Sequence, residues 1–278
     1  MLIARVFELH DRDRFETRLY SYGRDDGSAL RRRIEASGDA FIDVSGLSDR
    51  ETAQRIRADR IDVLIDLKGF TLNARTGVMA MRPAPIQVAY LGFPATMGAP
   101  FIDYAIVDPI VLPPEKADEF TERLAWLPDS YQANDRLRPV ATMPSRADVG
   151  LPETGFVFCS FNQTYKIRPE VFDVWCRLLA STPGSVLWQL SDSEASKANL
   201  RREALARGID PGRLIFARPV QPEHNLARIG LADLFLDTLP INAHTTASDA
   251  LWVGVPLVTC RGNSFVGRVA ASLLHAVG

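Results

Sequence analysis

Cysteine is scarce in this chain and shows no pairing pattern. Cys159, Cys176 and Cys260 are odd in number and far apart, with no CxxC spacing, which argues against a disulfide framework and a cysteine zinc site. Long apolar runs are missing as well: no stretch reaches bilayer-spanning length, and Met1 to Leu9 lacks the basic leader and small-residue cleavage site of a signal peptide. Together these absences lead us to expect a reducing, cytoplasmic setting and no membrane contact. An excess of either charge is also lacking. The 32 Lys plus Arg residues against 34 Asp plus Glu give a formal charge of −2, so no global cationic field supports nucleic-acid binding. There is no GxGxxG after a strand, no GxxxxGK, no HExxH and no GxSxG, which disfavours nicotinamide-dependent enzymes, P-loop enzymes, zincins and α/β-hydrolases. Clustered carboxylates of the DxD kind are absent too, and no metal is expected.

What is present is a globular composition. The 278 residues are 46% hydrophobic and 24% charged, enough for two domains that each bury a core. The first ten residues, MLIARVFELH, place Leu2, Ile3, Val6, Phe7 and Leu9 at helical spacing with no cap in front, as if the chain began inside an element. Strand patterns follow at Phe15–Ser21 and Phe41–Val44, with a basic helix from Ser28 between them. Ser48 to Glu51 is a capping box that opens a helix to Asp59, and the β-branched run Ile61–Leu67 predicts a buried parallel strand. Further strands fall at Ile86–Leu91 and Asp103–Val107, and the alternation with helices is expected to continue to Leu127. Residues 129–154 hold Pro139, Pro144 and Pro152 and little apolar periodicity, as a linker would. Beyond it a second series of strands and helices runs to the end. Two such series predict an α/β chain of two Rossmann-like lobes with a cleft between them.

Three segments could carry chemistry. In NAHTTASDALW, residues 242–252, a strand leads through a polar turn into a helix whose first turn holds Thr245 and Thr246, which is the makings of an anion site. His244 could donate there to a phosphate or a sugar hydroxyl, and Asp249 could accept from a diol. An ordinary threonine N-cap with a solvent-facing histidine competes on even terms. In CSFNQTYK, residues 159–166, Gln163 and Lys166 precede a proline-opened helix, where a lysine amine can meet a phosphate. A solvated loop lysine is the commoner arrangement. In RPVQPEHNLAR, His224 and Arg228 share one helix face, which is more often a plain surface.

These residues, with RPAPIQVAYLGFP, SVLWQL and RVAASLL, resemble the catalytic region of the O-linked N-acetylglucosamine transferase and SPINDLY-like family over nearly the whole chain. The resemblance implies the GT-B fold, with an N-terminal catalytic lobe at residues 1–140 and a C-terminal nucleotide-sugar-binding lobe at 150–278. It further implies transfer of N-acetylglucosamine from UDP-GlcNAc to Ser or Thr hydroxyls of a protein or peptide, with inversion and without a cofactor. Lys166 and Gln163 would meet the diphosphate, with Lys166 as the catalytic residue. His244, Thr245, Thr246 and Asp249 would hold diphosphate and ribose or sugar, and His224 and Arg228 the nucleotide. The turn with Leu91, Gly92 and Pro94 would approach the sugar.

The stretch DFG-x-HP-x-SH and the tetratricopeptide repeats that precede this region in relatives are not in the sequence, and relatives continue beyond RVAASLLHAVG. We therefore expect both lobes to be incomplete, the first without its leading strand and loop, the second without its closing helices, and the repeats to lie upstream in a longer chain. His224 stands four residues before Arg228 where the family spacing is three. Two alternatives accompany this reading: protein O-fucosylation from GDP-fucose, and a nucleotide-sugar-binding fragment without transferase activity.

Overall fold

A computed structural model describes residues 2–278. The chain divides into two compact units, Met1–Arg138 and Pro139–Gly278.

In the first unit, α1 (Ala4–Glu8), β1 (Arg18–Ser21), α2 (Ala29–Glu35), β2 (Ala40–Asp43) and α3 (Asp49–Ala58) come first. They are followed by β3 (Val63–Asp66), α4 (Thr76–Ala80), β4 (Ile86–Ala89), β5 (Tyr104–Val107) and β6 (Arg123–Trp126). Strands β1 and β2 pair in parallel as a small sheet of their own, and β3-β4-β5-β6 form a second parallel sheet. The capping box of α3 forms as the sequence requires: the Ser48 hydroxyl accepts from the Glu51 N–H, and the Glu51 carboxylate accepts from the Ser48 N–H.

Two expectations for this unit need correction. The run Ile61–Leu67 forms the parallel strand β3, but the strand is not buried on both faces, and among the described residues it is paired on one side only. Its Leu64 packs with Ala53 and Ile56 of α3 and Val78 of α4, while Val63 and Ile65 stay 47% and 45% exposed on the other face. The turn-rich segment 92–100 joins β4 and β5 as its composition suggests, but the helix–strand alternation does not continue to Leu127, since only a 3-10 turn, Pro114–Glu119, stands between β5 and β6.

One buried carboxylate of this unit is held in an ion-pair network. Arg33 of α2 bridges Glu8 of α1 and the buried Asp135, donating to both carboxylates. The Arg33 and Arg5 guanidiniums hold the Glu8 carboxyl down at about 2.

The second unit contains β7 (Val157–Ser160), α5 (Pro169–Ser181), β8 (Val186–Leu190), α6 (Glu194–Ala206) and β9 (Leu214–Ala217). After them come α7 (Pro222–Ile229), β10 (Leu234–Leu236), α8 (Thr245–Trp252), β11 (Leu257–Val258) and α9 (Val269–Val277). All five strands are parallel, in the order β11-β10-β7-β8-β9. Helix α5 begins at Pro169, whose fixed φ and missing N–H suit a first helical position. Its buried residues Phe172, Trp175, Cys176 and Leu179 recur at helical spacing and pack on Phe158, Leu187, Leu214 and Leu236 of four neighbouring strands. The connector begins this unit physically as well as in sequence: Ala141 N–H donates to the Glu223 carbonyl, and Arg146 reaches the Gly155 carbonyl and Asp233.

No helix among the described residues is long and apolar enough to cross a membrane.

Candidate functional site

The strand order of the second unit reverses between β7 and β10. Successive strands are laid down on one side of β7 as far as β9, and then on the other side from β10. Such a switch point splays the loops that leave the two strands, and ligands of open α/β sheets bind in the resulting crevice. Both segments that the sequence picks out for phosphate chemistry leave these strands: residues 161–168 follow β7, and residues 237–244 follow β10.

The two loops are joined directly. Lys166 closes a short 3-10 turn over Thr164–Lys166, and its Nζ donates to the Asn242 carbonyl at 2.8 Å. The lysine is therefore not a solvated loop residue. Burial pushes its ammonium below the ordinary value, partly opposed by the nearby Asp237 carboxylate. Asp237 itself sits just past β10, accepting from the N–H groups of Thr238 and Ala243 and from the Thr259 hydroxyl. Burial raises its pKa, against the pull of those hydrogen bonds and of Lys166. Gln163, at the start of the 3-10 turn, is exposed.

His244 occupies the N-cap of α8 without any side-chain capping bond. The first-turn N–H groups of Thr245 and Thr246 consequently have no acceptor within the helix and stand at its positive end. The competing arrangement of a threonine N-cap with a solvent-facing histidine is not what forms. The His244 ring is largely buried, with Nε2 3.2 Å from the Val266 carbonyl. Because a carbonyl only accepts, the proton sits on Nε2. Burial lowers the ring's pKa to about 4, so the ring is neutral at physiological pH. This changes the role expected of the side chain: its N–H is taken by Val266, and the ring's other nitrogen can only accept. Donation to an anion at this turn falls to backbone N–H groups. The Thr246 hydroxyl donates to Asn162 Oδ1 at 3.0 Å, and Asp249 is buried one turn into α8.

His224 and Arg228 of α7 line a cavity of about 700 Å³, together with Trp188, Phe216, Arg218, Val220 and Gln221 and with Thr142 and Asp148 of the connector. The shared plain surface proposed for this pair does not survive for Arg228, which is buried. Its guanidinium donates to the Arg218 carbonyl and to Asn225 Oδ1 and lies 5.2 Å from the Phe161 ring centroid. Phe161 directly precedes Asn162, so a residue that lines the cavity, Arg228, packs against the backbone segment that carries Asn162. His224 remains exposed.

Leu91, Gly92 and Pro94 belong to the first unit, in the turn after β4. Leu91 adopts φ +69°, and a Cβ on Gly92 would fall 2.1 Å from the Leu67 carbonyl oxygen, so the turn admits only glycine there. Three residues that motif spacing did not single out now enter the site: Asn162, Asp237 and Asn242. Asp237 had a legible signal, a carboxylate at the carboxyl end of the strand LFLD. Among the described residues no group of three or more His, Cys, Asp or Glu side chains is placed to hold a metal ion.

The comparisons with known proteins agree in direction. The chain is 40% identical over its whole length to the probable UDP-N-acetylglucosamine–peptide N-acetylglucosaminyltransferase SEC of Arabidopsis thaliana, covering 29% of that protein. It is 29% identical to the UDP-N-acetylglucosamine–peptide N-acetylglucosaminyltransferase of Caenorhabditis elegans, again over all of this chain and 34% of the relative. The chain thus spans about a third of the length of these curated relatives. Among solved structures, a mutant of the Thermobaculum terrenum O-GlcNAc transferase superposes with a TM-score of 0.88 at 34% identity, covering 100% of this chain and 52% of that one. The Anabaena HepE protein in complex with UDP and glucose, at 11% identity and a TM-score of 0.59 over 99% of this chain and 83% of that one, shares the fold. The profile of glycosyl transferase family 41 matches residues 1–143 and 133–278, and the chain belongs to that family.

Proposed function

We propose that this chain is the catalytic region of a protein O-glycosyltransferase that takes N-acetylglucosamine from UDP-GlcNAc and transfers it, with inversion, to Ser or Thr hydroxyls of a protein or peptide. The observation that carries the reading is the Lys166 ammonium held on the Asn242 carbonyl beside the uncapped N-terminus of α8. An ammonium and fixed N–H dipoles suit a diphosphate. When the bond between the sugar and the diphosphate breaks, negative charge grows on the departing oxygen, and these donors stabilise it more in the transition state than in the bound donor. They supply the countercharge from the protein itself, and the proposal includes no metal or cofactor.

The remaining assignments follow the family. Gln163 lies beside the diphosphate, and Thr245 and Thr246 present backbone N–H groups to it. The His244 ring accepts from a hydroxyl of the donor, and Asp249 serves the ribose or sugar. The nucleoside occupies the cavity lined by His224 and Arg228, while Leu91, Gly92 and Pro94 serve the sugar. A diphosphate cradle is common to UDP and GDP sugars, so the base is chosen in the cavity. The relatives of Arabidopsis thaliana and Caenorhabditis elegans, named as UDP-N-acetylglucosamine–peptide N-acetylglucosaminyltransferases, favour UDP-GlcNAc over GDP-fucose.

Calorimetric titration of the chain with UDP and GDP, followed by a transfer assay with UDP-GlcNAc and a Ser-containing peptide, tests the reading. Tighter binding of UDP with detectable glycosylation is the expected result. Preference for GDP would replace the donor with GDP-fucose, and UDP binding without transfer would leave a binding fragment.

A further inference from the structure

Asn162 lies two residues beyond β7, at the switch point, and is only 2% exposed. Its two amide atoms are treated differently. Oδ1 accepts from the Thr246 hydroxyl at 3.0 Å, whereas Nδ2 is buried with no hydrogen-bond partner. Native proteins rarely leave a buried N–H donor unmatched, because it forfeits its hydration without return. The surroundings indicate which acceptor would suit it. Lys166, four residues on, brings an ammonium to the Asn242 carbonyl, and Thr246 is the second residue of α8, at the helix's positive end. A donor amide beside an ammonium and a helix N-terminus fits an anionic oxygen.

We propose that Asn162 is a further diphosphate-binding residue, whose Nδ2 donates to a diphosphate oxygen. Thr246 aims that amide: its hydroxyl is spent on Asn162, and only its backbone N–H serves the ligand. Turning the amide over would place an acceptor where the anion must sit. The proposal rests on the donor-site reading above and adds to its ammonium and backbone N–H groups an asparagine amide that motif spacing does not single out.

The test compares UDP with uridine, measured on the 278-residue chain by calorimetry and by ligand-observed NMR. Asn162→Ala is expected to weaken UDP by about tenfold to a hundredfold, the range for one hydrogen bond to a charged group, and to leave uridine unchanged. Thr246→Val should weaken UDP less, Thr246→Ser should restore it, and the double variant Asn162→Ala with Thr246→Val should bind no more weakly than Asn162→Ala alone. Wild-type affinity for UDP in Asn162→Ala overturns the proposal. So do additive losses, which would show the Thr246 hydroxyl meeting the phosphate itself. If Asn162→Ala loses uridine together with UDP, Asn162→Asp decides. It keeps the acceptor for Thr246 but turns a carboxylate toward the diphosphate, so its loss of UDP should exceed that of the alanine variant, and unchanged UDP affinity overturns the proposal. Failure of the unsubstituted chain to bind UDP would instead overturn the donor-site reading.

Discussion

The Lys166 ammonium is fixed to the backbone carbonyl of Asn242, 76 residues away in sequence and 2.8 Å away in space. One N–H of the ammonium is used on that carbonyl and two remain for a ligand. The link ties the loop after β7 to the loop after β10, so that binding strength and loop geometry depend on the same side chain.

Lys166→Ala should therefore weaken UDP by about tenfold to a hundredfold, as expected for loss of a hydrogen bond to a charged group. If transfer is the activity, kcat/KM should fall by more than the affinity does, since leaving-group charge is largest in the transition state. Calorimetry and steady-state kinetics on the same preparation check both. A kcat/KM equal to wild type would remove Lys166 from the mechanism.

Alkaline pH should act on the same contact. Burial sets the Lys166 pKa below its ordinary 10.5, so in the free protein the ammonium is lost earlier than on a surface lysine. A bound diphosphate favours the charged form and raises the pKa again, so binding takes up a proton as pH rises through that lowered value. UDP affinity should fall on the alkaline side before pH 10.5, with proton uptake visible as a dependence of the binding heat on buffer ionisation enthalpy. Lys166→Met should flatten the profile.

Acid should weaken the second unit through His244. Its ring has a pKa of about 4 in the fold against 6.5 when unburied, so between these values the unfolded chain binds the extra proton. Stability is thus retained above pH 6.5 and lost as pH falls toward 4, by up to about 3 kcal/mol from this group. Urea unfolding at a series of pH values, compared with His244→Gln, would show the slope and its removal. Equal slopes in the two proteins would contradict the assignment.

In the first unit, Arg33→Ala should cost about 2–4 kcal/mol, because it strands the buried carboxylate of Asp135 and frees Glu8 at once. Adding Asp135→Asn to it should recover part of the loss. The urea midpoint of the first unit reads both effects.

Much of the architecture was legible because it is written locally. Ser48 and Glu51 are three residues apart and make the capping box that their spacing implies, and the run Asp103–Val107 becomes β5, Tyr104–Val107, within one residue of its expected bounds. Position within a sheet is different. The run Val63–Asp66 is β-branched and apolar enough for a strand buried on both faces, and only the fold leaves one face uncovered and, among the described residues, one edge unpaired. The same division holds in the site. Lys166 and the HTT turn stand out as residue types at suggestive positions. The orientation of the His244 ring is set by Val266, and the partner of Thr246 by Asn162, 22 and 84 residues distant. No pattern of short period encodes such contacts. His224 and Arg228 share a helix face as their spacing implies, yet their burial differs because only Arg228 is drawn onto Phe161.

The fastening of residues 141–149 to the second unit also governs how a protease meets the chain. Arg146 is held at the Gly155 carbonyl and Asp233, and Thr142 and Asp148 wall the cavity. Arg136 and Leu137, just ahead of the boundary at Arg138, are exposed. Limited trypsin digestion should nick the Arg136–Leu137 bond first and spare Arg146. The larger C-terminal product would then carry its cavity wall intact, whereas a piece begun at residue 150 would lack it.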